Sequence, residues 1–192
     1  MTMKTVKLEA GFAELCKRSK RFKQFCDEWK SPKSRALLGE LALIAKHREA
    51  VLILGPTGSG KSRIAECIHE LRHQGSDRAA GKFCQLNMAA ISPNLAHSEL
   101  FGYRKGAFTG AGDGSIGLIL SANGGTLFLD EIADADQGTQ AALLTVLDNM
   151  SFRPVGQQAV VRVNLDLVAA TNKDPGEEIE GGTFREDLYY RL

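Results

Sequence analysis

Eight consecutive residues limit what this chain can become: Gly55-Pro56-Thr57-Gly58-Ser59-Gly60-Lys61-Ser62, a complete GxxxxGK[ST] sequence. An apolar run at residues 50–54 reads as a strand before it, and Ile64, Cys67, Ile68 and Leu71 are spaced as one helical face behind it. Strand, glycine-rich loop and helix in that order form a cradle for phosphate. Glycines let backbone N–H groups converge on phosphate oxygens, Lys61 reaches the terminal phosphates, the Ser62 hydroxyl ligates magnesium, and the helix N-terminus adds a favourable dipole. The expected fold is α/β, a parallel sheet with helices on both faces and the nucleotide at its C-terminal edge.

A phosphate cradle alone hydrolyses nothing, so the next requirement is an acidic strand end. Thr126-Leu127-Phe128-Leu129-Asp130-Glu131 supplies it, as a short apolar run closing in two carboxylates. Asp130 is expected to hold magnesium, directly or through water, and Glu131 to polarise the attacking water, the arrangement of an ATPase rather than of a kinase acting on a substrate hydroxyl. Two further strands, at residues 82–86 and 165–170, end at Asn87 and at Thr171-Asn172, placing polar amides at the same edge.

Composition sets the outer limits. The chain has 192 residues, 43% hydrophobic and 24% charged, enough for one packed domain and incompatible with wholesale disorder. A net charge of +1 leaves any nucleic-acid contact to a local patch. Apolar runs fall short of the ~20 residues of a membrane helix, and the N-terminus lacks a hydrophobic signal core. A cytoplasmic protein without membrane contact is expected. The spacing of Cys16, Cys26, Cys67 and Cys84 suits neither a zinc pair nor a disulfide scaffold, so reduced, mostly buried thiols are expected. Residues 1–32 stand apart as an amphipathic helical segment, with Phe12, Leu15, Cys16, Phe22, Phe25, Cys26 and Trp29 on one face and Lys17, Arg18, Lys20, Arg21 and Lys23 largely on the other. Residues 33–192 form the nucleotide-binding domain.

Between residues 101 and 117 the chain carries six glycines, which describes a hinge-rich insertion able to move, with Phe108 and Thr109 between glycines. A second insertion, residues 151–162, reads as a short hairpin about Gly156-Gln157-Gln158. Gly106-Ala107-Phe108-Thr109-Gly110-Ala111, with Ser98-Glu99-Leu100-Phe101-Gly102 before it, resembles the signature loop of the sigma-54-dependent transcriptional activators, a branch of the AAA+ ATPases.

That resemblance, from about Leu37 to Leu192, implies a magnesium-dependent ATPase whose signature loop touches sigma-54, remodelling the closed complex of RNA polymerase. It implies further that Asn87 is a switch residue holding Glu131 from water and Asn172 a sensor of the γ-phosphate. Phe184-Arg185-Glu186-Asp187-Leu188-Tyr189-Tyr190-Arg191-Leu192 matches the family's FRxDLYxRL stretch, in which Arg185 and Arg191 would be arginine fingers serving a neighbour in a ring, a hexamer in the full-length protein. The Pro-Thr form of the phosphate loop is similar to the branch that controls RNA-repair operons. The last core strand, the C-terminal lid and any helix-turn-helix DNA reader are expected to be absent from this chain. The alternatives are a nucleotide-binding fragment without turnover and an AAA+ remodeller of another substrate.

His69-Glu70-Leu71-Arg72-His73 also reads HExxH, a zinc-protease arrangement. Ala79 stands where the extended form of that motif has its third histidine, so two solvated histidines on a polar helix face are expected instead.

Overall fold

The computed structural model describes residues 20–73, 81–104, 106, 114–156 and 159–192. The chain divides into two compact units, Met1–Arg48 with Arg63–Ala80, and Glu49–Ser62 with Gly81–Leu192. In the first, α1 (Lys20–Glu28) buries Phe22 and Phe25, two of the residues spaced for an apolar face. The Arg63 guanidinium lies 4.8 Å from the Phe25 ring centre and its Nη2 donates to Glu28 at 2.6 Å. Phe12, Leu15, Cys16, Lys17 and Arg18 lie outside the described residues. Ser31 and Pro32 start the next helix, α2 (Pro32–Ile44): the Ser31 hydroxyl accepts the Ser34 N–H, and proline fills the first turn where no N–H is required. Helix α3 (Lys61–His73) buries Ala65, Cys67 and Ile68.

The second unit is built on a parallel sheet of β1 (Val51–Leu54), β2 (Phe83–Asn87), β3 (Thr126–Asp130) and β6 (Asp166–Thr171), in the spatial order β1-β6-β3-β2. All four strands fall within a residue of the positions expected from sequence. Leu127, Phe128 and Leu129 of β3 and Leu167, Val168, Ala169 and Ala170 of β6 are buried on both faces, the continuous apolar pattern of interior parallel strands. Parallel register brings Asn87 opposite Asp130 and Leu54 opposite Thr171, so the polar strand ends form one edge. The described helices of this unit beyond the start of α3 are α4 (Pro93–Phe101), α5 (Leu118–Ser121), α6 (Gln137–Asn149), α7 (Pro175–Glu180) and α8 (Glu186–Tyr189). Leu143, Val146 and Leu147 of α6 join the core with Phe184 and Leu188.

The two insertions meet at their bases. Residues 151–162 form the expected hairpin, β4 (Ser151–Phe152) pairing antiparallel with β5 (Val161–Arg162). Tyr103 exchanges backbone hydrogen bonds with Ser115 at 2.9 Å each way, while Arg104 N donates to Val155 O and Val155 N to Gly102 O, each at 3.1 Å. The glycine-rich insertion therefore has a fixed neck where its composition suggested only hinges. Residues 107–113, which include Ala107, Phe108, Thr109, Gly110 and Ala111, lie outside the described residues, as do Gln157 and Gln158. Among the described residues no helix is long and apolar enough to cross a membrane.

Candidate active site

The loop after β1 turns back on itself through Gly58 and Gly60, whose φ angles of +79° and +90° exclude most side chains. Among the described residues, chain neighbours aside, nothing lies within 4 Å of where a Cβ would stand on either, so it is the conformation that demands glycine. Gly55 N donates to Thr171 O at 3.2 Å, tying the loop to the end of β6. Lys61 opens α3 and is 94% buried; its Nζ donates to Gly55 O at 2.9 Å and Pro56 O at 3.4 Å and lies 3.3 Å from Glu131 Oε1. Ser62 follows it in the first turn of the helix.

Glu131 reaches that lysine because the chain turns sharply at the end of β3. Its backbone is left-handed, at φ 51° and ψ 52°, a conformation that costs a non-glycine residue about 1–2 kcal/mol. The other carboxylate oxygen, Oε2, accepts the Asn172 N–H at 2.8 Å. The Asn172 side chain in turn donates from Nδ2 to Thr57 Oγ1 at 3.0 Å. Thus Thr57 and Lys61 of the loop, Glu131 and Asn172, from three separate parts of the sequence, close into one set of contacts across the C-terminal ends of β1, β6 and β3. The strained backbone thus falls on one of the two carboxylates that close the apolar run of β3.

Asp130 lies beside them. Burial and the adjacent Glu131 charge raise its carboxyl above the ordinary range, against the opposing pull of Lys61 and the Asn87 amide. Two carboxylates crowded this way, together with the hydroxyl of Ser62 next to Lys61 in the chain, are hard oxygen donors suited to a magnesium ion. Asn87 donates from Nδ2 to Asp130 Oδ2 at 3.2 Å, while its Oδ1 accepts the Ala89 N–H at 2.9 Å. Its amide therefore meets Asp130, and the groups that hold Glu131 in this structure are Lys61 and Asn172.

The two C-terminal arginines lie apart from this set. Arg185 immediately precedes α8 and grips Asp187 through two hydrogen bonds, Nε to Oδ1 at 2.9 Å and Nη2 to Oδ2 at 2.6 Å. Arg191 Nη2 donates to Leu147 O at 3.1 Å, and its Nε lies 3.1 Å from Asp148 Oδ1. Gly106 is exposed with φ +75°.

Some contacts gave no sequence signal. Lys173, next to Asn172, pairs with Asp134 at 2.9 Å and Glu178 at 3.5 Å, fastening the segment after β6 to the turn after Glu131. A pocket between the turns that follow β2 and β3 is lined by Met88, Ile91, Pro93, Ala96 and Ala135 with Asp134 and Asp136. Its carboxylates are engaged, Asp134 by Lys173 and Asp136 as the cap of α6, so it adds no chemistry to the site. His69 and His73 are half-buried with ring centres 4.7 Å apart. Among the described residues no group of three or more His, Cys, Asp or Glu is placed to hold a metal. Cys67 is buried and its thiol pushed up to about 12 by that burial, while Cys26 and Cys84 are half-buried, and none of the three is in a disulfide.

A family model described as the sigma-54 interaction domain matches residues 28–192. The Nif-specific regulatory protein of Azotobacter vinelandii is 48% identical over 162 residues, covering 84% of this chain and 30% of that protein. The crystal structure of NtrX from Brucella abortus in complex with ATP is similar at a TM-score of 0.74 and 34% identity, over 85% of this chain and 34% of that one. The P-loop NTPase domain of the sigma-54 transport activator from E. coli, 18% identical with a TM-score of 0.51 over 79% of this chain and 96% of that one, shares the fold. The chain spans about a third of the length of the curated relatives it matches.

Proposed function

The chain belongs to the sigma-54 interaction domain family, and from that membership we propose that it hydrolyses ATP to ADP and phosphate in order to remodel the closed complex of sigma-54 RNA polymerase and switch on transcription. The observation that carries the chemistry is the contact set of Thr57, Lys61, Glu131 and Asn172 around the phosphate loop. Residues 55–62 cradle the phosphates with their N–H groups, and Lys61 exchanges its loop carbonyls for terminal phosphate oxygens. Magnesium, held by Ser62 and Asp130, would neutralise charge on the phosphates. Glu131 orients the attacking water and takes its proton. Asn172, already in contact with the loop through Thr57, senses the γ-phosphate, and Asn87 is the switch residue, acting on the carboxylate pair from its bond to Asp130.

Gly106, Ala107, Phe108, Thr109, Gly110 and Ala111 form the sigma-54 contact, carried on a neck that the hairpin braces. Arg185 and Arg191 complete a neighbouring subunit's site in a cytoplasmic homo-oligomeric ring, a hexamer. We take residues 1–32 as a helical segment preceding the ATPase domain of residues 33–192, and the Pro-Thr form of the phosphate loop supports a reading of the chain in the branch regulating RNA-repair operons.

The test is Glu131→Gln. The amide keeps an acceptor for the Asn172 N–H but cannot take up the proton, so ATP affinity by calorimetry should hold while turnover falls by about 10²–10⁴-fold. Turnover at the parental rate would remove Glu131 as the base.

A further inference from the structure

Gln140 is the one wholly buried amide side chain among the described residues of α6, on a helix face otherwise spent on Leu143, Val146 and Leu147. A buried amide is tolerated where its hydrogen-bonding groups are used, and here three of them are. Nε2 donates to Ala135 O at 2.7 Å and to Thr183 O at 2.9 Å, and Oε1 accepts the Arg185 N–H at 2.9 Å. Two carbonyls and one N–H as partners fix which way the amide points, since only Nε2 can donate and only Oε1 can accept. One turn earlier, Gln137 Nε2 donates to Gly182 O at 2.9 Å and Thr183 O at 3.0 Å, a second strap on the same segment from the exposed side.

The two ends of this bridge matter. Ala135 closes the short turn that Glu131 opens, its N–H bonded to Ile132 O at 3.1 Å, with Asp134 N on Glu131 O at 2.9 Å. Arg185 is the residue from which a half-exposed guanidinium projects. A single side chain therefore sets the backbone of that arginine against the turn carrying the subunit's own carboxylate. We infer that Gln140 is a positioning residue for Arg185, fixing where the guanidinium is presented to a neighbouring subunit and registering it to the Glu131 turn behind it. This rests on the reading of Arg185 as a group that serves the neighbour's site. Nothing in Gln140 touches phosphate, so its contribution is geometric, and a misplacement of about 1 Å in a group that acts in the transition state can cost on the order of 100-fold in rate.

The experiment is subunit mixing in the intact protein. Gln140→Met keeps the length of the side chain and leaves Ala135 O, Thr183 O and Arg185 N without it. Alone it should bind ATP within about twofold of the parent, with turnover lower by about 100-fold and KM little changed. Mixed with Glu131→Gln, which has an intact Arg185 and Gln140, it should regain activity, because a Gln140→Met subunit still owns a working Glu131. Mixed with Arg185→Ala it should regain none, since neither partner presents the arginine. A purely structural role for Gln140 would leave both mixtures inactive. The control is Arg185→Ala with Glu131→Gln: no rescue there sinks the shared-site reading and this inference with it. Rescue in the control without rescue of Gln140→Met overturns the positioning role alone. Where Gln140→Met does not fold, Gln140→Leu, which also has neither donor nor acceptor for Ala135 O, Thr183 O and Arg185 N, takes its place, and the same rescue pattern is expected. If neither variant folds, Gln140 serves the core and the assignment is overturned.

Discussion

Gly58 and Gly60 of the phosphate loop and Gly102 and Gly117 of the insertion's neck have the same left-handed backbone, with φ of +79°, +90°, +70° and +73°. Their surroundings differ completely. Among the described residues, chain neighbours aside, no atom lies within 4 Å of a Cβ built on either loop glycine, whereas a Cβ on Gly102 would run into Ser115 O, and one on Gly117 would stand 2.5 Å from Gly102 N. In the loop, glycine serves a bend that leaves space for what the loop holds. In the neck it lets two backbone segments touch, with Leu100 and Phe101 buried behind them. One glycine-rich element is shaped for a ligand and the other for its own chain, which a sequence count of glycines cannot separate.

The contrast is broken or sharpened by alanine at each pair. Gly117→Ala combines a left-handed backbone with contacts of 2.5–2.6 Å to backbone atoms, which have no side chain's freedom to move away. Strain of about 1–3 kcal/mol and overpacking of similar size together predict a loss of about 3 kcal/mol, and Gly102→Ala should behave alike. In a chain of this length that lowers Tm by roughly 6–12 °C, readable by calorimetry, with nucleotide affinity the less affected quantity. Gly60→Ala meets only the conformational cost of about 1–2 kcal/mol, so its Tm should fall by about half as much or less. Its ATP affinity should fall instead, because the methyl group projects where phosphate oxygens approach the loop. Equal Tm losses at Gly60 and Gly117, or an affinity loss at Gly117 larger than at Gly60, would erase the distinction.

Legibility in the sequence followed the same divide between local pattern and long-range contact. The strands were readable because an interior parallel strand is a continuous apolar run, and residues 126–130 are one; their ends placed Asn87, Asp130 and Asn172 at one edge before any coordinates. The phosphate loop was readable because its spacing has a single physical use. The left-handed turn at Glu131 was not, since no local signal asks for it and the contacts that hold it come from Lys61 and Asn172. Nor was the preference of Asn87 for Asp130, a pairing 43 residues apart that register alone brings about. Gln140 does carry a sign in the sequence: with Leu143 and Leu147 it falls on the i, i+3, i+7 stripe of α6, so a polar residue there is destined for the buried face.

The smallest change calibrates the other two, because it touches no glycine. Asp136 caps α6, its Oδ1 accepting the Gly138 and Thr139 N–H groups at 2.9 and 3.1 Å, with the Thr139 hydroxyl on Oδ2. Burial pushes its carboxyl up, but the Thr139 hydroxyl and the two backbone donors outweigh that and hold it below the ordinary carboxylate range. A folded-state value that is depressed means stability present above the unfolded carboxylate value, ~4, and lost as pH falls through the folded value. Asp136→Ala should therefore cost about 1 kcal/mol at neutral pH, some 2–4 °C in Tm, and less once acid has protonated the parent's cap. Scans of parent and variant from pH 7 downward should show a constant gap that narrows only below about pH 4. A gap that is absent at pH 7, or that widens on acidification, would mean the carboxylate does not cap this helix. A gap as large as that of Gly117→Ala would mean that the neck is no more tightly built than an ordinary helix end.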